Sequence, residues 1–201
     1  LEGDEYNTAF FDRGPKFLHY RPEIFVLGPV EFDHADLYRD LDAVLTAFRA
    51  GTAQVPRHGT VVVNGWSDDA VRIARTSSGR ALVVGPGPDA DLRLLDQRPL
   101  DGGCSLLALE VGGHRRDAIS SLAGLHNAQN AAVAVAAALA AGVEADEALA
   151  ALADFPGVAR RLELVGSAGG VEVVDDFAHH PTALAATLAA ARQRWPGRIG
   201  S

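Results

Sequence analysis

Apolar residues recur at three- and four-residue spacing from Leu37 to Ala50 (Leu37, Leu41, Val44, Leu45, Phe48), which predicts an amphipathic helix ended by Gly51. Thr60 to Asn64 and Arg80 to Val84 are β-branched or apolar runs bounded by glycine, with a helical stretch, Asp68 to Arg75, between them. Together they read as a strand, helix, strand unit. A short apolar run, Ile24 to Leu27, predicts an earlier strand, set between an aromatic turn (Phe10, Phe11, Phe17, Tyr20) and an acidic stretch from Glu31 to Asp36. Leu92 to Leu95 and Ser105 to Val111 predict an antiparallel hairpin with Asp101-Gly102-Gly103 in its turn. Two alanine-rich helices follow, Asn127 to Ala141 and Ala145 to Ala153. Phe155-Pro156-Gly157 then breaks the pattern, before two strands, Arg161 to Val165 and Val171 to Val174, around a glycine turn at Ser167 to Gly170, and a helix from Pro181 to Trp195. A domain boundary is expected near Gly157 to Arg160.

Composition narrows the classes. Eighteen basic against twenty-six acidic side chains leave a net charge of -8, which argues against a general nucleic-acid or acidic-membrane surface, so any anion must be bound locally. No apolar run reaches the roughly 18 residues that cross a bilayer, and the single cysteine, Cys104, excludes an internal disulfide framework. A cytoplasmic location is therefore expected. The sequence contains no methionine, so it does not begin at a translation start; Leu1 to Glu5 reads as the end of a buried strand entering an acidic loop, and Arg198 to Ser201 as a strand beginning. A fragment of a longer chain is the expectation.

Four clusters carry candidate chemistry. Glu2, Asp4 and Glu5, and Glu31, Asp33, His34 and Asp36, each follow an apolar run; beyond the carboxyl ends of parallel strands they could hold a divalent cation that in turn holds phosphate oxygens. Solvated acidic loops are the competing reading. Gly124 to Asn130 opens an alanine helix, where Asn127 or its predecessor could cap the first turn. Capping leaves Asn130 unexplained, since alanine is the better helix former there, and an asparagine amide offers the donor and acceptor that an adenine edge needs. Arg160-Arg161 suits a phosphate or plain solvation. Asp175 to Pro181, with two histidines, suits ribose hydroxyls or the capping of the following helix.

Taken together, these stretches resemble the Mur ligase superfamily, and within it the murein peptide ligases. The likeness rests on Glu2-Gly3-Asp4-Glu5-Tyr6-Asn7-Thr8-Ala9-Phe10-Phe11-Asp12, Lys16 to Pro22, Glu31 to Asp36, Gly124 to Asn130, Gly157 to Arg161 and Asp175 to Pro181. The resemblance implies an α/β fold: an incomplete central ATPase domain over residues 1–158, with a mostly parallel sheet, helices and a small antiparallel insertion, then the start of a Rossmann-like C-terminal domain over 159–201. It implies magnesium on Glu2 and His34, which would be the catalytic pair, adenine against His126, Asn127 and Asn130, phosphate on Arg161, ribose on Asp176, and His179 near nucleotide or acceptor. The implied reaction is ATP-dependent amide formation between UDP-N-acetylmuramate and a murein tripeptide. An L-alanine ligase acting on the same nucleotide sugar and a non-catalytic nucleotide-binding module are the alternatives. Departures from the pattern matter too. There is no glycine-rich loop ending in Gly-Lys-Thr, the only lysine is Lys16, and Gly28-Pro29 stands where asparagines are usual. Catalytic inactivity of these 201 residues is the expectation.

Overall fold

The computed structural model describes residues 1–195 and 197–200. It opens with a short hairpin, β1 (Asn7–Ala9) and β2 (Asp12–Pro15), followed by a 3-10 turn at Lys16–His19. The aromatic turn expected here divides in two: Phe17 is sealed in the core, while Phe10 and Phe11 at the hairpin tip are exposed. Residues 1–6 form no strand and Leu1 is fully exposed, contrary to the expectation of a buried strand end.

A six-stranded sheet follows in chain order: β3 (Ile24–Leu27), β4 (Thr60–Asn64), β5 (Arg80–Gly85), β6 (Leu92–Pro99), β7 (Ser105–Val111) and β8 (His114–Ser120). β3 to β6 pair in parallel and β7 with β8 antiparallel. Val61, Val62 and Val63 of β4 are wholly buried, as a strand covered on both faces requires. The expected hairpin forms, with β6 and β7 hydrogen-bonded neighbours joined by a 3-10 turn at Asp101–Gly103, where the Leu100 N–H donates to the Cys104 carbonyl at 2.9 Å. A second, tighter turn that the sequence reading left out joins β7 to β8, where Gly112 and Gly113 both take positive φ (59° and 78°). That geometry suits a two-residue hairpin turn. β8 escapes a hydrophobicity reading because its residues, His-Arg-Arg-Asp-Ala-Ile-Ser, are those of a charged strand at the end of a sheet.

The helices are α1 (Leu41–Thr52), α2 (Asp68–Ala74), α3 (Leu125–Ala140), α4 (Ala145–Asp154) and α5 (Pro181–Arg194). α1 starts four residues later than its apolar spacing suggests, because the Asp40 side chain accepts the Ala43 N–H at 2.9 Å and caps it there. Gly51 does not end the helix. It lies inside it, where a β-carbon would come within 2.8 Å of the Phe17 ring, so the glycine admits a core phenylalanine. A separate hairpin joins β9 (Glu163–Ala168) to β10 (Val171–Asp175); the expected glycine turn shrinks to Gly169-Gly170. Arg198 to Gly200 are not in a strand, and Ser201 lies outside the described residues.

By internal contacts the chain divides into two units, Leu1–Arg93 with Val133–Val143, and Leu94–Ala132 with Glu144–Ser201. The first is built on Phe17, Phe25, Leu27, Val44, Leu45, Val55 and the β4 valines, with Phe17 stacked on Phe48 (centroids 5.3 Å apart) and edge-on to Phe25. Within the second, Leu162, Ala190 and Ala191 form a small core packed by Val174, Trp195 and Ile199. No helix among the described residues is long and apolar enough to cross a membrane.

Candidate functional site

In the first unit, the acidic stretch after β3 turns back at His34, whose φ is +55° and whose carbonyl accepts the N–H groups of Leu37 and Tyr38. Asp33 supports the bend by accepting the His34 N–H at 2.7 Å. The imidazole is largely buried; its Nε2 donates to Glu5 Oε1 at 2.8 Å, and the Tyr6 ring packs against it at 4.4 Å. Tyr38 donates its hydroxyl to the Glu5 carbonyl at 2.9 Å, and burial, with help from the Glu5 and Asp4 charges, raises its pKa. The carboxylate hydrogen-bonded to His34 is thus Glu5, with Asp33 Oδ2 farther from the same nitrogen at 3.9 Å. Glu2, the residue expected to share a cation with His34, is exposed and makes no hydrogen bond or ion pair among the described residues. No group of three or more His, Cys, Asp or Glu side chains among those residues is arranged as a metal cage. One imidazole with Glu5 against it and Asp33 farther off suits magnesium only as part of its shell, with water and phosphate oxygens supplying the rest, which is how magnesium commonly sits in phosphoryl-transfer sites.

The second unit gathers His126, Arg161 and Asp176. His126 stands in the first turn of α3, preceded by Gly124, whose φ of +94° starts the helix and whose missing side chain leaves room for Ala190 of α5. Burial lowers the His126 pKa, the Arg161 charge lowers it further, and the Asp176 carboxylate opposes both. Near neutral pH its ring is therefore uncharged. Asn127 does not cap the helix as expected: it is the third helical residue, and its Nδ2 donates to the Ala123 carbonyl at 2.8 Å, leaving its oxygen unbonded among the described residues. Asn130, one turn on, is exposed and has no partner among them.

The two arginines differ. Arg160 donates from Nε to Asp175 at 3.2 Å and lies over the Phe177 ring, 4.9 Å from its centre. Arg161 is exposed, forms no ion pair among the described residues, and stands 5.8 Å from the same ring. Asp176 is heavily used within the protein, accepting from Leu162 N, Ala178 N and Thr187 Oγ1 at 2.8, 2.8 and 3.1 Å. His179 packs edge-on to Phe177 and donates from Nδ1 to that residue's carbonyl. Among the described residues Asn130 has a free donor and acceptor and Arg161 no ion pair, and His126 is neutral, so these side chains have the chemistry to take a base edge and a phosphate. Sequence reasoning placed Glu5 in the acidic cluster but took Glu2 as the partner of His34, included Phe177 in the Asp175–Pro181 stretch without a role, and missed Tyr6 and Tyr38 around His34 and Thr187 beside Asp176.

Residues 12–138 match the family described as the Mur ligase middle domain, and residues 160–200 the Mur ligase, glutamate ligase domain. The chain is 38% identical over 204 residues to the UDP-N-acetylmuramate–L-alanyl-γ-D-glutamyl-meso-2,6-diaminoheptandioate ligase of Escherichia coli, covering all of this chain and 42% of that protein. It is 43% identical over 188 residues to the UDP-N-acetylmuramate–L-alanine ligase of Paenarthrobacter aurescens, covering 88% of this chain and 38% of the relative. Among solved structures, a murein peptide ligase from Psychrobacter arcticus superposes with a TM-score of 0.72 at 34% identity, covering 96% of this chain and 39% of the other. MurF from Acinetobacter baumannii gives 0.78 at 22% identity, over 89% of this chain and 39% of that one, a likeness of fold alone. The chain spans about two fifths of the length of the curated relatives it matches.

Proposed function

The chain belongs to the Mur ligase family, and from that premise we propose that it is the nucleotide-handling part of an ATP-dependent ligase that joins a murein tripeptide, L-Ala-γ-D-Glu-meso-diaminopimelate, to UDP-N-acetylmuramate. The observation that carries this reading is the match to the Escherichia coli tripeptide ligase, which runs through the whole chain. Residues 1–158 act as the central ATP-binding domain and 159–201 open the C-terminal ligase domain.

In the reaction the muramate carboxylate attacks the γ-phosphorus of ATP and releases ADP; the peptide amine then attacks the acyl carbon and releases phosphate. His126, Asn127 and Asn130 take the adenine, using the unbonded Asn127 oxygen and the free Asn130 amide, and Arg161 takes a phosphate, with His179 near nucleotide or acceptor. His34 and an acidic residue of the opening segment, Glu2 in the family pattern and Glu5 by contact, hold magnesium. The metal supplies neutralisation of phosphate charge that otherwise repels the incoming carboxylate. The chain acts in the cytoplasm, on small molecules.

A second reading, ligation of L-alanine to the same nucleotide sugar, is supported by the 43% identity to the Paenarthrobacter aurescens enzyme. ADP release from the whole ligase carrying these residues, measured with each amine in turn, decides between them: the tripeptide should be strongly preferred, and preference for L-alanine reverses the assignment. The 201 residues alone hold no phosphate-loop lysine, since Lys16 is the only lysine and pairs with Asp4 at 3.4 Å. By themselves they should not hydrolyse ATP, and should bind it no more tightly than about millimolar. Micromolar binding or turnover by the chain alone favours a self-sufficient nucleotide-binding module.

A further inference from the structure

Arg161 lies between two residues that side chains other than glycine rarely allow: Arg160 has φ +60° and Leu162 φ +50°. Neither is glycine, so the surrounding structure must hold both. Arg160 is held by its N–H on Glu163 Oε2 (2.7 Å), its carbonyl under the Phe177 N–H (2.8 Å) and its guanidinium on Asp175. Leu162 is held by its side chain, buried against Ala190 and Ala191, and by its N–H on Asp176 Oδ2 at 2.8 Å. The other oxygen of Asp176 is tied to Ala178 N, just before α5, and to Thr187 Oγ1, which anchors the carboxylate to the middle of that helix.

We propose that Asp176 is a positioning residue: it latches the left-handed backbone at Leu162 to α5 and so sets where the Arg161 guanidinium, which has no ion pair among the described residues, stands. A carboxylate has about four acceptor sites, and three are spent on protein donors, so Asp176 cannot grip two ribose hydroxyls without giving up one of those bonds. Its work for the nucleotide is done through Arg161. That last step rests on Arg161 taking a phosphate, as proposed above; the latch itself does not.

The test uses this chain with Asp176→Asn, Asp176→Ala, Thr187→Val and Arg161→Ala. An amide at 176 cannot accept all three bonds, so in Asp176→Asn and Asp176→Ala the Leu162 amide–α-proton coupling and Cα shift should leave their left-handed values, while Thr187→Val keeps them. Leu162 unchanged in both Asp176 variants overturns the latch. Titrations with adenosine and with ADP, followed on the Asn130 side-chain amide, form the second arm. ADP binding should weaken about tenfold in Asp176→Asn and in Arg161→Ala, adenosine binding should not change, and the double variant should be no weaker than Arg161→Ala. Equal loss for adenosine and ADP, with additive effects of the two substitutions, makes Asp176 a ribose ligand and overturns the proposal. If the unaltered chain binds neither probe, which the lack of a phosphate-loop lysine allows, the latch is decided on the Leu162 coupling alone.

Discussion

Gly124 is where the second unit leaves no room, and its replacement by alanine yields an energy that can be worked out beforehand. At φ +94° a β-carbon costs about 1–2 kcal/mol of backbone strain. The same carbon would lie 2.5 Å from Ala190 Cβ, far inside contact distance, and relief by shifting α5 costs about 1–3 kcal/mol more, as overpacking generally does. Gly124→Ala should therefore lose about 2–5 kcal/mol. Gly157 supplies the control within the same unit: its φ is +85°, but a β-carbon there meets only Leu122 Cδ2 at an ordinary 3.4 Å, so Gly157→Ala should lose the strain portion alone, about 1–2 kcal/mol. Ala190→Gly removes the clashing methyl at a helix-interior cost of about 1 kcal/mol, and combined with Gly124→Ala it should recover about 1–3 kcal/mol as a coupling energy. Urea unfolding followed by fluorescence of Trp195, which packs on the Leu162 core, reads this unit when Trp66 is replaced by phenylalanine throughout. A Gly124→Ala variant no worse than Gly157→Ala, or a double-variant cycle without coupling, would refute the close approach of α3 to α5.

Two further outcomes are expected. The folded-state pKa of His126 lies below its ordinary value of 6.5, chiefly from burial, so between the two values the unfolded chain binds more protons; the second unit should be most stable above pH 6.5 and lose stability as pH falls through that value toward the folded one. His126→Gln should flatten that dependence in thermal unfolding followed against pH, and an unchanged slope would assign it to another group. In the first unit, Phe17→Ala deletes a ring 2% exposed that touches Phe48, Phe25 and the Gly51 backbone, and should cost about 3–5 kcal/mol in denaturant unfolding; a loss under about 1 kcal/mol would mean that the ring is not a core element.

The parallel half of the sheet was legible because its strands are apolar and bracketed by glycine, and the helices because alanine and spacing both favour them. What stayed hidden has specific physical causes. The hairpin from Asn7 to Pro15 is held by polar contacts, Thr8 Oγ1 to the Gly14 carbonyl and the Gly14 N–H to Asp12, which leave no hydrophobic period to detect. Gly51 reads as a stop signal in sequence, but here it answers a packing demand made by a residue thirty-four positions earlier. At the site, residue types and neighbourhoods were readable and the pairing of particular atoms was not. Glu2 and Glu5 are equivalent in composition, and only the turn through Tyr6 puts Glu5 against His34. Asn127 has a capping residue's side chain, yet its use is set by a helix that begins two residues earlier.

The pair at 160 and 161 carries this furthest. In a chain of net charge -8 a bound phosphate needs a cation that the protein has not already neutralised. Both arginines have the same charge, the same reach and the same aromatic neighbour, so nothing in the dipeptide ranks them. Backbone direction separates them. The left-handed turn at 160 brings that side chain within 3.2 Å of Asp175, where its charge is spent inside the protein. The second left-handed residue, Leu162, buries its own side chain and leaves Arg161 projecting without a carboxylate partner among the described residues. Two strained residues thus convert a symmetrical Arg-Arg sequence into one structural and one available guanidinium. It follows that substituting Arg160 should act chiefly on stability and substituting Arg161 chiefly on anion binding, a split that solvation of both side chains would not produce.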